Sequence, residues 1–231
     1  MNNSLKKPPI PITSNLRQRY VTVPDVIRKA NGIEIYGKRI RSLIFTTDLA
    51  IVMNNNADGI IAVYPFTPQI SINNAIIDIS SSPVFSGVGG GVTSGERSIS
   101  IALQAELHGA YGVVLNSPAT NELINAMNDV LDLPIVITVV SEYENVRSRI
   151  EAGARIVNVS GGKGTASIVK KIRAKFPDLP IIATGGPNEK SILETIEAGA
   201  NAITFTPPPT GDLFSDIMEH YRTKIEEEHN N

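Results

Sequence analysis

The chain has 231 residues, 42% of them hydrophobic and 19% charged, with net charge −2 and neither cysteine nor tryptophan. The length suits a single large α/β domain that buries its own core without covalent staples. Lack of cysteine excludes disulfides, thiolate nucleophiles, Cys-ligated zinc and iron–sulfur clusters.

Charge is unevenly spread. Residues 1–41 hold nine basic side chains against Asp25 and Glu34, a net +7 that leaves −9 for the remainder. A basic arm can bind nucleic acid. With no interleaved aromatics and a pI near 6.0, the favoured reading is a solvated segment packed on an acidic body or a neighbouring subunit. No apolar run approaches the ~20 residues of a membrane span, and MNNSLKKPPIPITSN lacks the apolar stretch of a signal peptide. A cytoplasmic protein with neither nucleic acid nor membrane as partner is expected.

Residues 1–42 read as an N-terminal arm and cap. VPDVIRKANG suggests a short helix ending at Gly32, and IEIYGKRI a tight strand pair turning near Gly37. Residues 1–14 and 228–231 are expected to be disordered.

Beyond the arm the chain repeats itself. HGAYGVVLNS, AGARIVNVSG and AGANAITFTP align on Ala110, Ala154 and Ala200, with spacings of 44 and 46, and NADGIIAVYP is a fainter copy at Ala57. Between them lie PVFSGVGG, PIVITVVS and PIIATGG, led by Pro83, Pro134 and Pro180; LIFTTD supplies the earliest strand. Eight strands are thus predicted at 43–48, 59–65, 84–88, 112–117, 135–141, 155–161, 181–186 and 202–207, each followed by a helical stretch. Thr67-Pro68 and Ser117-Pro118 read as an N-cap followed by proline at the first helical position. Thr93 with Glu96, and Ser141 with Glu144, match the capping box. Strand–helix alternation leaves an open doubly wound sheet or a closed (β/α)8 TIM barrel. Eight regular units with a two-unit repeat favour the barrel, over residues 43–228 with a tail at 229–231. At about 23 residues per unit there is no room for an inserted domain or long lid. The arm should close the N-terminal mouth, where inward apolar side chains need cover.

In such barrels the chemistry sits at the carboxyl ends of the strands. Alternation along RIVNVSGG puts Asn158 and Ser160 on one face and the valines on the other, so the polar pair should point inward. The same parity turns Asn116, Thr138, Thr184, Thr204 and Thr206 inward, a mouth rich in hydroxyls and amides and poor in ionisable groups. Three glycine turns follow strands: 87–91 with Gly89 and Gly90, 160–162 with Gly161 and Gly162, and 184–186 with Gly185 and Gly186. Their amides can converge on an anion beside a helix N-terminus, with Lys163 adding a mobile charge. Asp48 ends the first strand as a general base, a water-mediated Mg²⁺ ligand or a helix N-cap. Glu142 should project over the mouth or stand exposed in a first helical turn. The three histidines follow no strand, which disfavours His-based acid/base or metal chemistry.

PIIATGG-PNEKSILETIEAGANAIT resembles the phosphate-binding barrels of the ribulose-phosphate-binding group, relatives of the aldolases, sugar-phosphate epimerases and thiazole synthases. The resemblance implies that Gly185-Gly186 help hold a phosphate. The partner turn after the eighth strand here reads Thr206-Pro207-Pro208-Pro209, and proline offers no amide donor. Gly161, Gly162 and Lys163 would then draw the anion towards the sixth strand. No strand carries the lysine that aldolases of this group use. The expected function is a lyase or isomerase acting on a small anionic, phosphorylated metabolite. Asp48 and Glu142 would transfer protons; Asn116, Asn158, Ser160 and Thr184 would orient the ligand. A hydrolase with carboxylate-activated or Mg²⁺-bound water, and a non-catalytic ligand-binding barrel, remain alternatives. No other cofactor is evident, and self-association is left open.

Overall fold

A computed structural model of the chain describes residues 10, 12, 14 and 20–229. Eight parallel strands close into one barrel in the order β10-β3-β4-β5-β6-β7-β8-β9. The strands are β3 (Ser42–Phe45), β4 (Gly59–Ala62), β5 (Val84–Gly89), β6 (Gly112–Leu115), β7 (Ile135–Val139), β8 (Ile156–Val159), β9 (Ile181–Thr184) and β10 (Ala202–Phe205). Helices α1 (Leu49–Met53), α2 (Ile70–Ile79), α3 (Glu96–Leu107), α4 (Asn121–Asn128), α5 (Val146–Glu151), α6 (Thr165–Lys175), α7 (Glu189–Glu197) and α8 (Thr210–His229) follow them in turn. The antiparallel pair β1 (Ile33–Ile35) and β2 (Lys38–Ile40) precedes the barrel, after a 3₁₀ turn at Asp25–Lys29. No helix among the described residues is long and apolar enough to cross a membrane.

Seven strands end two or three residues earlier than predicted, because their last residues leave the ladder to form the βα turns, while β5 runs one residue further, to Gly89. The turns also cap differently. α4 is capped by Thr120, whose Oγ1 accepts the Leu123 N–H (3.2 Å), while Ser117 Oγ donates to Glu144 (3.1 Å). Thr93 is buried and bonded to Thr67 Oγ1 (3.1 Å), so α3 starts after Gly95 instead. The Glu144 carboxylate takes the N–H groups of Val140 (2.7 Å) and Ser141 (3.3 Å), but ahead of α5, whose own cap is Asn145. In these short loops the hydroxyls satisfy the loop backbone or each other before they can serve a helix. Residues 228 and 229, expected to be disordered, continue α8; 1–9 and 230–231 lie outside the described residues.

Strand alternation sorts the core into two apolar layers. Ile44, Ile60, Leu115, Ile137, Val157, Ile181 and Ile203 face the helices. Leu43, Ile61, Phe85, Val114, Val136, Ile156, Ile182 and Ala202 fill the lumen, where Ile33, Ile35 and Ile40 of the β1–β2 pair join them. The strand pair is thus the plug of the lower mouth. Phe85 is completely buried there, and a Cβ on Gly112 would lie 2.8 Å from its ring, so a side chain at that position is traded for the aromatic.

The outer ring is closed in an unusual way. α8 buries none of its residues. Val21 instead pairs with the chain just after α1 (Val21 N–H to Asn54 C=O, 2.8 Å), and Val23 N–H donates to Asn56 Oδ1 (2.8 Å). The 3₁₀ turn that follows packs on α7, and Gly32 N–H reaches Asn201 C=O at the foot of β10 (2.8 Å). Val23 and Ile27 are buried in the same apolar layer as the inner faces of the helices. Residues 21–30 therefore bridge α7 and α1, the position an eighth helix would take.

Candidate functional site at the upper mouth

Above the apolar lumen layer the inward face continues through Phe45, Val63, Gly87, Asn116, Thr138, Asn158, Thr184 and Thr204. The register places Thr138 beside Asn158 and Thr184 beside Thr204. Asn158 Nδ2 contacts Thr138 Oγ1 at 3.5 Å, while Asn158 Oδ1 and Thr204 Oγ1 are buried with no partner. Thr204 is only 5% exposed. A buried polar atom without a partner costs about 1–3 kcal/mol. These two stand on β8 and β10, either side of β9, at the carboxyl end of the barrel where a ligand could satisfy them.

A cavity of about 710 Å³ opens beside them, lined by Gly162, Lys163, Thr165, Thr184, Gly185, Gly186, Ser191, Thr204 and Thr206. α6 and α7 both start at its edge, so helix dipoles add positive potential there, while Glu194 of α7 contributes one carboxylate to the lining. The glycines are not equivalent. Gly185 N–H is taken by Thr204 C=O (3.2 Å) and Gly161 N–H by Thr165 Oγ1 (3.1 Å). Gly162 (φ +58°) and Gly186 (φ +79°) line the cavity in the left-handed conformation that glycine favours, and a Cβ on Gly186 would lie 2.7 Å from Ser191 Oγ. Thr165 Oγ1 meets Thr184 Oγ1 at 3.3 Å and fixes the wall between the two turns. Lys163 is exposed and without a recorded ion-pair partner among the described residues.

The other predicted residues separate from this cluster. Ser160 stands past β8 with its N–H on Val139 C=O (2.8 Å). Gly89 and Gly90 form a tight turn closed on itself: Gly90 N–H binds Thr93 C=O, and Asn116 N–H binds Gly89 C=O, both at 2.9 Å. Gly89 and Asn116 border a smaller cleft of about 150 Å³ on the β4–β6 side. Glu142 does not project over the mouth. It forms an ion pair with Lys171 in a groove between the α5 and α6 segments, on the outer surface. The β7 chain turns outward after Val139, and this carries the Glu142 position away from the lumen.

Asp48 is at the rim, but as a helix cap. Its Oδ1 accepts the N–H groups of Ala50 (2.8 Å) and Ile51 (3.4 Å), and its Oδ2 accepts the Thr210 hydroxyl. The Thr210 hydroxyl, then the two amides, hold its carboxyl below the ordinary carboxylate range against a smaller opposing effect of burial. A group with a depressed folded-state pKa contributes stability above its unfolded pKa and loses it as pH falls through the folded value. Asp48→Asn, which still caps, is expected to leave neutral-pH stability within ~0.5 kcal/mol and to flatten the acid limb of a urea-midpoint against pH curve. An unchanged acid limb would contradict the assignment. No three His, Asp or Glu side chains converge among the described residues, and both Asp48 oxygens are engaged by hydrogen bonds.

The sequence reading missed the apolar half of the mouth. Phe45, Val63, Tyr64, Pro65 and Pro207 line a cavity of about 570 Å³ with Thr46, Thr47, Asp48, Asn116 and Thr206. Tyr64 is held in place by Gln69 N–H, which donates to its Oη at 2.6 Å. The parity that found Thr204 also points Phe45 inward, because Phe45 pairs with Ile61 of the lumen layer.

No protein-family model matches the chain, and neither does any curated protein. Solved structures match its fold. A mandelate oxidase superposes with TM-score 0.62 at 15% identity, over 77% of this chain and 68% of that one. A putative phosphonomutase from Burkholderia cenocepacia gives 0.57 at 14% identity, over 80% and 92%. Thiamine phosphate pyrophosphorylase from Pyrococcus furiosus gives 0.53 at 16% identity, over 71% and 84%. These neighbours are aldolase-type TIM barrels, and the chain shares that fold. At such identities the likeness defines architecture alone.

Proposed function

We propose that the chain is a small-molecule metabolic enzyme that binds a phosphorylated metabolite at the upper mouth and performs lyase or isomerase chemistry on it. The observation that carries this reading is the buried, unpartnered Thr204 hydroxyl facing a cavity edged by two helix N-termini. An anion seated on the Gly162 and Gly186 turns would satisfy Thr204 and be neutralised by Lys163. Asn158 Oδ1 would accept a hydroxyl proton from the body of the ligand. Two carboxylates border the mouth: Glu194 of α7 lines the anion cavity, and Asp48 lines the adjoining one. Held ionised, Asp48 suits a base or an acceptor rather than an acid, and Thr210 would have to turn away for Oδ2 to reach a ligand. Glu142 takes no part.

A second reading, a ligand-binding barrel without catalysis, draws on one observation. The inward ring of Phe45, Val63, Gly87, Asn116, Thr138, Asn158, Thr184 and Thr204 contains no titratable side chain. A panel of phosphorylated metabolites followed by phosphorus and proton NMR separates the two. Turnover that is lost in Asp48→Asn supports the enzyme; tight binding with no product formed supports the receptor. For the anion site itself, Lys163→Ala is expected to weaken inorganic phosphate binding about 10-fold by calorimetry, the usual scale of one charge-assisted contact. Undiminished binding would remove Lys163 from the site.

A further inference from the structure

The mouth has two chemically different halves that meet at Thr206, which lines both larger cavities. On the β8–β10 side are glycine turns, hydroxyls and Lys163, with Glu194 as the one carboxylate. On the β3–β4 side are Phe45, Ile51, Val63, Tyr64, Pro65 and the Pro207–Pro209 run, with no lysine or arginine. Phe45 is a large aromatic left 38% exposed at the inward end of its strand, and Tyr64 is pinned beside it by Gln69. Among the described residues that line this cavity, the only formal charge is Asp48, which is negative. A second carboxylate or phosphate on the ligand would meet that charge without a compensating cation, in a cleft that offers aromatic and proline surface instead. The volume, about 570 Å³, lies in the ~300–1,000 Å³ range of small-molecule sites.

Resting on the reading above that the β8–β10 side holds the anion, we infer that the β3–β4 side receives an uncharged, flat apolar body. The ligand class is then a phosphate monoester whose phosphate is its one anionic group, on an aromatic or unsaturated carbon frame, rather than a sugar-acid or polyol phosphate. Thr46, Thr47 and Asn116 at the edge of the cleft supply hydrogen bonds for one or two polar substituents on that frame.

The test compares phenyl phosphate, glycerol 3-phosphate and 3-phosphoglycerate by calorimetry, each alone and in competition with inorganic phosphate. Phenyl phosphate is expected to bind at least 10-fold more tightly than the other two. Phe45→Ser is expected to erase that difference and leave inorganic phosphate binding unchanged. If glycerol 3-phosphate or 3-phosphoglycerate binds as tightly as phenyl phosphate while inorganic phosphate still competes, the inference is overturned and the anion site stands. If inorganic phosphate competes with none of them and Lys163→Ala changes nothing, the anion reading itself fails. Should Phe45→Ser not fold, the wild-type ranking alone decides.

Discussion

Replacing Ile27 by alanine is expected to cost about 2–5 kcal/mol of stability, whereas ending the chain at Leu213 costs under ~1 kcal/mol. The first substitution empties a site that is 1% exposed, in the apolar layer between strands and helices. The second removes most of a 20-residue helix that buries nothing. In an ordinary barrel the ranking would be reversed, because the last helix seals the seam between last and first strands. Urea unfolding followed by far-UV circular dichroism distinguishes the cases directly. A truncated chain that loses its cooperative transition would mean that α8, and not residues 21–30, closes the ring.

Thr204→Val is expected to raise stability by about 1 kcal/mol and to abolish or cut at least 10-fold the binding of inorganic phosphate. The two side chains have nearly the same shape, so the change removes an unpartnered buried hydroxyl and little else. A residue kept for folding would lose stability on this exchange; one kept for a ligand gains stability and loses the ligand. Opposite signs in a thermal melt and a phosphate titration are the result to look for. Lower stability with unchanged binding would assign Thr204 to the fold.

The barrel was legible in the sequence because its signals are periodic and redundant. Three Gly-Ala helix ends and three Pro-led strands repeat the same unit, and an error in one leaves the others intact. The inward parity of Asn158, Thr184 and Thr204 followed from the valines between them, whose place against the helices is set by burial. Glu142 failed because parity ends where the strand ends: after Val139 the chain turns outward, and Lys171 lies within reach on the neighbouring helix. The caps at Thr67, Thr93, Ser117 and Ser141 failed for a related reason. A hydroxyl in these five-to-seven-residue loops has several acceptors and donors within reach, and the spacing of letters does not rank them. Phe45 and Val63 were overlooked because apolar residues at a strand end look like core, and only closure of the barrel shows that they face the opening.

The bridge made by residues 21–30 also bears on the order of assembly. This stretch leaves the ribosome early, yet α7 and β10, on which it settles, are among the last parts synthesised. Val23 finds Asn56 early, but Ile27, in the turn that packs on α7, lacks that surface until the later segment has been made. Contacts of such long sequence separation slow folding and leave sticky surface available to other molecules in the interval.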